Sequence, residues 1–529
     1  MKNRFNGAVV LLLLILLGCQ GKEAIEDLNE QYRPQIHFTP AANWMNDPNG
    51  MVYYENEYHL FYQYYPDSNV WGPMHWGHAV SKDMISWERL PIALYPDSKG
   101  DIFSGSAVID WNNTTGFQDG EHPPMVAIFT QHLMEGERAG RIDFQTQGIA
   151  YSLDKGRTWT VYNGNPVIPN PGIKDFRDPK VIWHEESEKW VMVFAAGDRI
   201  KFYTSPNLID WQFESDFGMQ EGAHGGVWEC PDIFKLRIEG EDREKWVLLV
   251  SINPGAPNGG SGTQYFVGDF DGKSFTNNQF PERTSWLDYG RDNYAGVTWS
   301  DIPKEDGRRL FIGWMSNWDY AQVVPTETWR SAMTLPRSLH LKRNSQTGIY
   351  TVESRLVDEI NTIVKDSITH GGGDVEPGVF FVLTRGSDLQ GSELEFEVPY
   401  ITEVTFDLKN SKGKIFGIQL TNELNENYYL VIKDGAFLSD RTAAGKTDFS
   451  DKFADKTHKG IISDYASKEE LKVKMIVDRS SVEIFIEDGQ SVMTELIFPN
   501  KPFHEALIFA QDDEVWFKEF KTYKLKSIW

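Results

Sequence analysis

The chain has 529 residues, 40% apolar and 13% aromatic with 18 Trp, and a formal net charge of −25. That length exceeds one ordinary core, so two folded domains are expected. The charge excludes a nucleic-acid binder, which needs clustered Lys and Arg, and favours a neutral or cationic substrate.

In chain order, the first element is a targeting segment. Lys2 and Arg4 precede an apolar run from Ala8 to Leu17, too short to cross a bilayer as a helix. The run ends in "LLGC" (16–19), the form of a bacterial lipoprotein signal with cleavage before Cys19; an ordinary secretory signal is the alternative. Residues 1–18 are expected as signal and the polar, acidic 19–34 as a tether, giving an exported protein whose only membrane contact is a lipid on Cys19. Cys230 is then the one remaining thiol, so no intramolecular disulfide forms.

From 35 to 345 short apolar runs alternate with Gly, Asp, Asn and Pro turns, which predicts an all-β domain. One recurring unit is a strand, a Ser or Asp turn and an aromatic: "HAVSKDMISW", "IAYSLDKGRTW", "KFYTSPNLIDW" and "YFVGDFDGKSF", ending at Trp87, Trp159, Trp211 and Phe275. A second is an acid and a Pro leading into paired strands, after Asp47, Asp178 and Glu229. Self-similar β units of this size predict a propeller, with a β-sandwich as the alternative. In a propeller the innermost strand of each blade starts at one rim of the channel, so the three acids converge although 131 and 51 residues separate them. Residues 346–371 read as a linker. From 372 to 529, "VTFDLK", "IFGIQL", "YYLVIK", "LKVKMIVD" and "VEIFIEDGQ" alternate with period two, the last ending in an Asp488-Gly489 turn, and predict a β-sandwich.

Several stretches resemble glycoside hydrolase family 32, which includes the invertases, inulinases and levanases. "WMNDPNG" (44–50), "FRDPKV" (176–181) and "WECPD" (228–232) match its three signatures. "WGPMHWGHAVSKD" (71–83), "FSGS" (103–106), "WRSAMTLPRSL" (329–339) and "DRSSVEIFIEDG" (478–489) follow in the right order. The resemblance implies a five-bladed propeller followed by a sandwich; the repeat alone gives four clear units. It implies a retaining hydrolase that releases fructose from levan, inulin and sucrose, with no cofactor. "WGPMHWGHA" is more similar to the levanase and inulinase branch, and the intact "NDPNG" leans toward exo-action. An endo-acting levanase, an arabinan-cleaving propeller enzyme and a non-catalytic glycan-binding lipoprotein are the alternatives.

By the same resemblance Asp47 is the nucleophile, Glu229 the acid/base and Asp178 the residue that holds fructose hydroxyls. Two carboxylates in one site suit this chemistry when one is ionised and the other protonated. Neighbouring acids disfavour ionisation of Glu229, and Arg177 is expected to keep Asp178 charged. Asn46, Gln63, Trp71, Ser104 and Arg177 are expected to line the fructose subsite, Trp314 to close one wall, and Asp292 and Tyr294 to contact substrate. His75 and His78 lie three apart on a strand, hence on opposite faces, with no Cys or third His close in sequence; they read as structural and no metal is expected. Cys230 reads as a buried small thiol, not a nucleophile.

Overall fold

The computed structural model describes residues 28–387 and 393–529, so the expected signal and Cys19 lie outside the described residues. Among the described residues strands dominate, with one five-residue α-helix, Met134–Arg138. Five antiparallel-built sheets of four or five strands precede two six-stranded sheets. The first strands of the five sheets are Asn43–Tyr54, Asp101–Ile109, Phe176–His184, Val227–Arg237 and Tyr294–Thr298. Each contacts the next and the fifth contacts the first, which makes the closed ring of a five-bladed propeller. The ring is fastened between blades five and one, where Trp329–Arg330 pairs in parallel with Asn43 and Trp44 and Ser300 bridges Val52.

In three of the four repeated units the turn has one physical cause. Between the third and fourth strands of blades one, three and four, Asp83, Asn207 and Asp271 accept from the backbone amides two and three residues on. An Asx side chain reverses the strand in this way without a backbone partner. Blade five makes the same turn at Asn344, whose carbonyl accepts from Gln346 and Thr347 ahead of Tyr350. A longer loop hides it, which is why only four units stand out in the sequence.

The sandwich sheets enclose one apolar core that includes Phe406, Phe416, Ile418, Leu430, Val473 and Ile484. The Asp488-Gly489 turn joins Ser481–Ile486 to Ser491–Leu496, with left-handed φ at both turn residues. Propeller and sandwich share a second core in which Met51, Leu60, Val297 and Leu335 meet Ile401, Ile476, Phe485 and Val492.

Two expected boundaries differ. The linker at 346–371 holds the outermost strand of blade five, Tyr350–Leu356, paired with Arg337–Arg343, and the edge strand Val364–Val375 of the sandwich, paired with Val515–Leu525. Val364–Val375 buries little apolar surface and carries three Gly in a row, so its period-two signal is weak. Residues 28–34 of the expected tether are packed against the fold. Arg33 is buried, donates to Thr39 Oγ1 and Pro40 O, and lies 4.4 Å over the Trp329 ring.

Candidate active site

Every ring strand carries a β-bulge near one rim, where two residues oppose one across the pair: 46–47, 103–104, 178–179, 230–231 and 295–296. A bulge bends a strand and re-aims its side chains. Here it turns Asp47, Ser104, Asp178, Glu229 and Tyr294, one from each blade, toward the channel mouth. Asp178, Cys230 and Ala295 take left-handed φ of 66°, 43° and 52° at these bulges.

The mouth is a pocket of about 230 Å³ lined by the three acids and by Asn46, Gln63, Trp71, Ser104 and Arg177, all expected there. Asp47 is buried and surrounded by donors. Ser104 Oγ donates to its Oδ2 at 2.7 Å and Asn46 Nδ2 to its Oδ1 at 3.0 Å. Both donors are themselves held. Trp44 Nε1 donates to Asn46 Oδ1 at 2.7 Å; Asn49, with its amide oriented to suit its neighbours, accepts from Gln63 Nε2 and donates to Ser104 Oγ. Burial pushes the Asp47 carboxyl above its ordinary range, while Ser104, Asn46 and Cys230 pull the other way.

Glu229 is held at both oxygens. Arg177 Nη2 donates to Oε1 at 2.8 Å, and the Tyr294 hydroxyl donates to Oε2. Neither contact is expected from the sequence. Arg177 was expected to serve Asp178, but its close bonds go to Glu229 and Asp175, and Asp178 lies 3.8 Å from its Nε. Burial, with Glu229 and Asp47 nearby, pushes Asp178 up to about 7 against the pull of Arg177. The Asp178 carboxylate accepts instead from the Cys230 amide at 3.1 Å.

The Cys230 thiol is buried, 3.5 Å from Asp47 Oδ2 and 3.6 Å from Asp178 Oδ2. Burial and the surrounding carboxylates push its pKa well up, so it stays a thiol and can donate to only one of the two at a time.

Three expected contacts fall elsewhere. Trp314 is fully buried behind the pocket against Trp44 and Tyr294, and Trp318, four residues on, lines the wall in its place. Trp314 lies on the second strand of blade five and packs in the blade, whereas the loop that follows this strand reaches the rim. Asp292 is buried against the sandwich, bonded to Arg441 Nη1 at 2.6 Å. Tyr294 is buried and meets Glu229 instead of lining the pocket. His75 and His78 do face opposite ways, but His78 has a histidine partner: His59 Nδ1 on the adjacent strand is 3.0 Å from its Nε2. Burial lowers both imidazoles, His59 to about 3. Cross-strand pairing is what spacing along the chain cannot show.

The sequence reading missed Phe103, His132, Glu137, Gln145, Asp175 and Trp318 in the lining. His132 stacks flat on Phe103 at 4.1 Å, and its Nε2 and Nδ1 meet Glu137 Oε2 and Gln145 Nε2, both at 3.1 Å. Burial pushes His132 down to about 4, so the imidazole is neutral; the network assigns it the tautomer that donates to Glu137 and accepts from Gln145. Asp175, two residues before Arg177 in "KDFRDPK", was the one with a readable signal, an acid beside a motif cation.

Comparison with known proteins decides the family. Residues 37–351 match the glycosyl hydrolases family 32 N-terminal domain, and 383–524 the family 32 C-terminal domain. The chain belongs to glycoside hydrolase family 32. It is a hydrolase of the β-fructofuranosidase type. This family 32 chain is 48% identical to a levanase of Bacillus subtilis (strain 168) over 537 aligned residues, covering 100% of the chain and 76% of that protein. It is 40% identical to an extracellular exo-inulinase of Aspergillus niger, covering 91% of the chain and 92% of the relative. Its structure superposes on the exo-inulinase of Aspergillus awamori with a TM-score of 0.84 at 35% identity, covering 95% of this chain and 100% of that one.

Proposed function

We propose that this family 32 enzyme is an exo-acting, retaining fructan hydrolase that removes terminal fructose from levan and inulin and also cleaves sucrose. The observation that carries the proposal is one small pocket in which Asp47 is surrounded by donors while Glu229 is gripped at both oxygens. In this reading Asp47 attacks the anomeric carbon as Glu229 gives its proton to the departing oxygen, leaving a fructosyl ester on Asp47. Glu229 then takes a proton from water, whose oxygen displaces Asp47 and frees fructose. The donors on Asp47 favour its ionised form against the opposing effect of burial, Asp178 accepts from fructose hydroxyls, and Arg177 and Tyr294 orient Glu229.

Exo-action is supported by size: about 230 Å³ is below the roughly 300–1,000 Å³ of typical ligand pockets and suits one sugar unit rather than a chain. Similarity to a levanase and to exo-inulinases supports the substrate class. Export with a lipid on Cys19 completes the proposal, supported by "LLGC" and by the extracellular naming of a relative.

Product analysis on levan, inulin and sucrose tests the activity. Fructose alone is expected; a ladder of oligomers means endo-action, and no release returns the protein to a binding role. Fractionation of Cys19→Ala tests the anchor: the variant should leave the membrane fraction, and a variant that stays there refutes lipidation.

A further inference from the structure

After Leu287, whose amide still donates to Thr263 O of blade four, the segment Asp288–Asn293 enters blade five along the sandwich. The Tyr289 amide donates to Val492 O at 2.8 Å and the Asp292 amide to Thr494 O at 3.1 Å. Gly290 lies so close that a Cβ there would sit 2.1 Å from Thr494 O. Asp288 accepts from the amide and hydroxyl of Thr494 at 2.9 and 2.7 Å. The next residue after this segment is Tyr294, whose hydroxyl meets Glu229.

Arg441 of the sandwich is fully buried and every arm of its guanidinium is used. It donates to Asp292 Oδ2 at 2.6 Å, to the Tyr320 hydroxyl at 2.8 Å, to Leu496 O at 3.0 Å and to Phe453 O at 2.8 Å. Tyr320 in turn donates to Asp292 Oδ1 at 2.7 Å. Glu495 lies 3.1 Å from Arg441 and 2.8 Å from His458, so the cation does not stand alone. The two propeller residues that Arg441 grips each stand two positions from a side chain at the site: Asp292 from Tyr294, which holds Glu229, and Tyr320 from Trp318, which lines the pocket.

A buried ion pair is a poor source of stability, because desolvation cancels most of the attraction and apolar replacements do as well. What it supplies is fixed geometry, since a planar fork satisfied on all sides allows one arrangement. We propose that the sandwich is a positioning domain for catalysis: Arg441 clamps Asp292 and Tyr320, and thereby sets Tyr294 against Glu229 and Trp318 in the pocket wall. Arg441 touches neither substrate nor reacting atoms and is a positioning residue. The proposal rests on Glu229 being the acid/base.

Arg441→Lys tests it in the full chain, because Lys keeps the charge beside Asp292 and Glu495 but cannot reach all four acceptors. Rates are measured well below the unfolding temperature on sucrose, whose leaving group needs a proton, and on an aryl fructoside whose leaving group does not. A disturbed acid/base costs only the first, so the ratio of the two kcat/KM values should fall about tenfold, a fraction of what general acid catalysis supplies. The alkaline limb of the sucrose profile should move as well. Asp478→Asn, at an interface carboxylate bonded to His37 and to the amides of Gln35 and Ile36 and not to Asp292 or Tyr320, should lower the unfolding temperature and leave the ratio alone. If Arg441→Lys fails to fold, Asp292→Asn takes its place. An unmoved ratio in the clamp variant, or an equal fall in Asp478→Asn, overturns the proposal; a parent inactive on both substrates overturns the functional reading instead.

Discussion

Replacing Ser104 with Ala removes the shortest hold on the proposed nucleophile. Its hydroxyl donates to Asp47 Oδ2 at 2.7 Å in a buried setting where desolvation already pushes the carboxyl up. A hydrogen bond to a charged group contributes roughly 1.5–3 kcal/mol. At about 1.36 kcal/mol per pH unit, its loss raises the Asp47 carboxyl by about one to two units. The sign follows from the form that attacks. Only the carboxylate is nucleophilic, and a carboxyl that holds its proton longer is depleted of that form in acid. The acid limb of kcat/KM therefore moves to higher pH by that amount. Asn46 and Cys230 still face Asp47, so activity survives on the alkaline side of the limb. Initial rates on sucrose across the acid range read this, with Ser104→Thr retaining the hydroxyl. An acid limb that coincides with the parent's, or one displaced equally in Ser104→Thr, refutes the reasoning.

Asp47→Asn should lower turnover by on the order of 10⁴-fold or more, while leaving thermal unfolding unchanged or slightly raised, because a neutral amide replaces a carboxylate whose charge burial disfavours; a large fall in unfolding temperature would contradict this. His37 is buried between Asp478 and Glu483, whose hydrogen bonds outweigh desolvation and raise it from 6.5 to about 9. Its contribution is complete below pH 6.5 and lost as pH rises through about 9; roughly 3 kcal/mol of stability should disappear over that window. Unfolding temperatures that stay level from neutral to alkaline pH, or that fall identically in His37→Gln, would count against it. Glu229→Gln should slow sucrose and levan hydrolysis by about 10²–10⁴-fold. Azide should restore turnover on an activated fructoside by capturing the Asp47 ester; rescue of Asp47→Gly by azide instead would exchange the two assignments.

The fold was legible because its signals are local. Asx turns and period-two strands act within a few residues, so "SKDMISW" and "TSPNLIDW" announce the same reversal wherever they occur. What misled was tertiary. Trp314 and Trp318 have the same chemistry, and only the end of the strand Arg309–Met315 decides which reaches the rim. Asp292 sits in a motif-like stretch beside Tyr294, and nothing near it in sequence says that its partner is Arg441, 149 residues away. The edge strand Val364–Val375 and the packed residues 28–34 draw their order from neighbours far along the chain, so their own patterns are weak.

The acid–Pro element read from sequence as one repeat contains two layers. The residue before Pro or Gly at each bulge is Asp47, Ser104, Asp178, Cys230 and Ala295; the residue before that is Asn46, Phe103, Arg177, Glu229 and Tyr294. Asp47 and Asp178 thus belong to the first set, and Glu229 to the second with the two residues that grip it. Of the two carboxylates, Glu229 is the more exposed, its side chain at 18% against 6% for Asp178. The layers suit the proposed roles. A nucleophile and a hydroxyl acceptor act on the sugar ring at the closed end of the pocket. An acid/base must meet a leaving group on its way out and a water on its way in, which requires a place nearer solvent. Cys230 occupies in blade four the position that Asp47 and Asp178 hold in theirs. A third carboxylate there would stand against both, beside an Asp47 whose carboxyl burial already pushes up; a thiol fills the position as a donor that carries no charge.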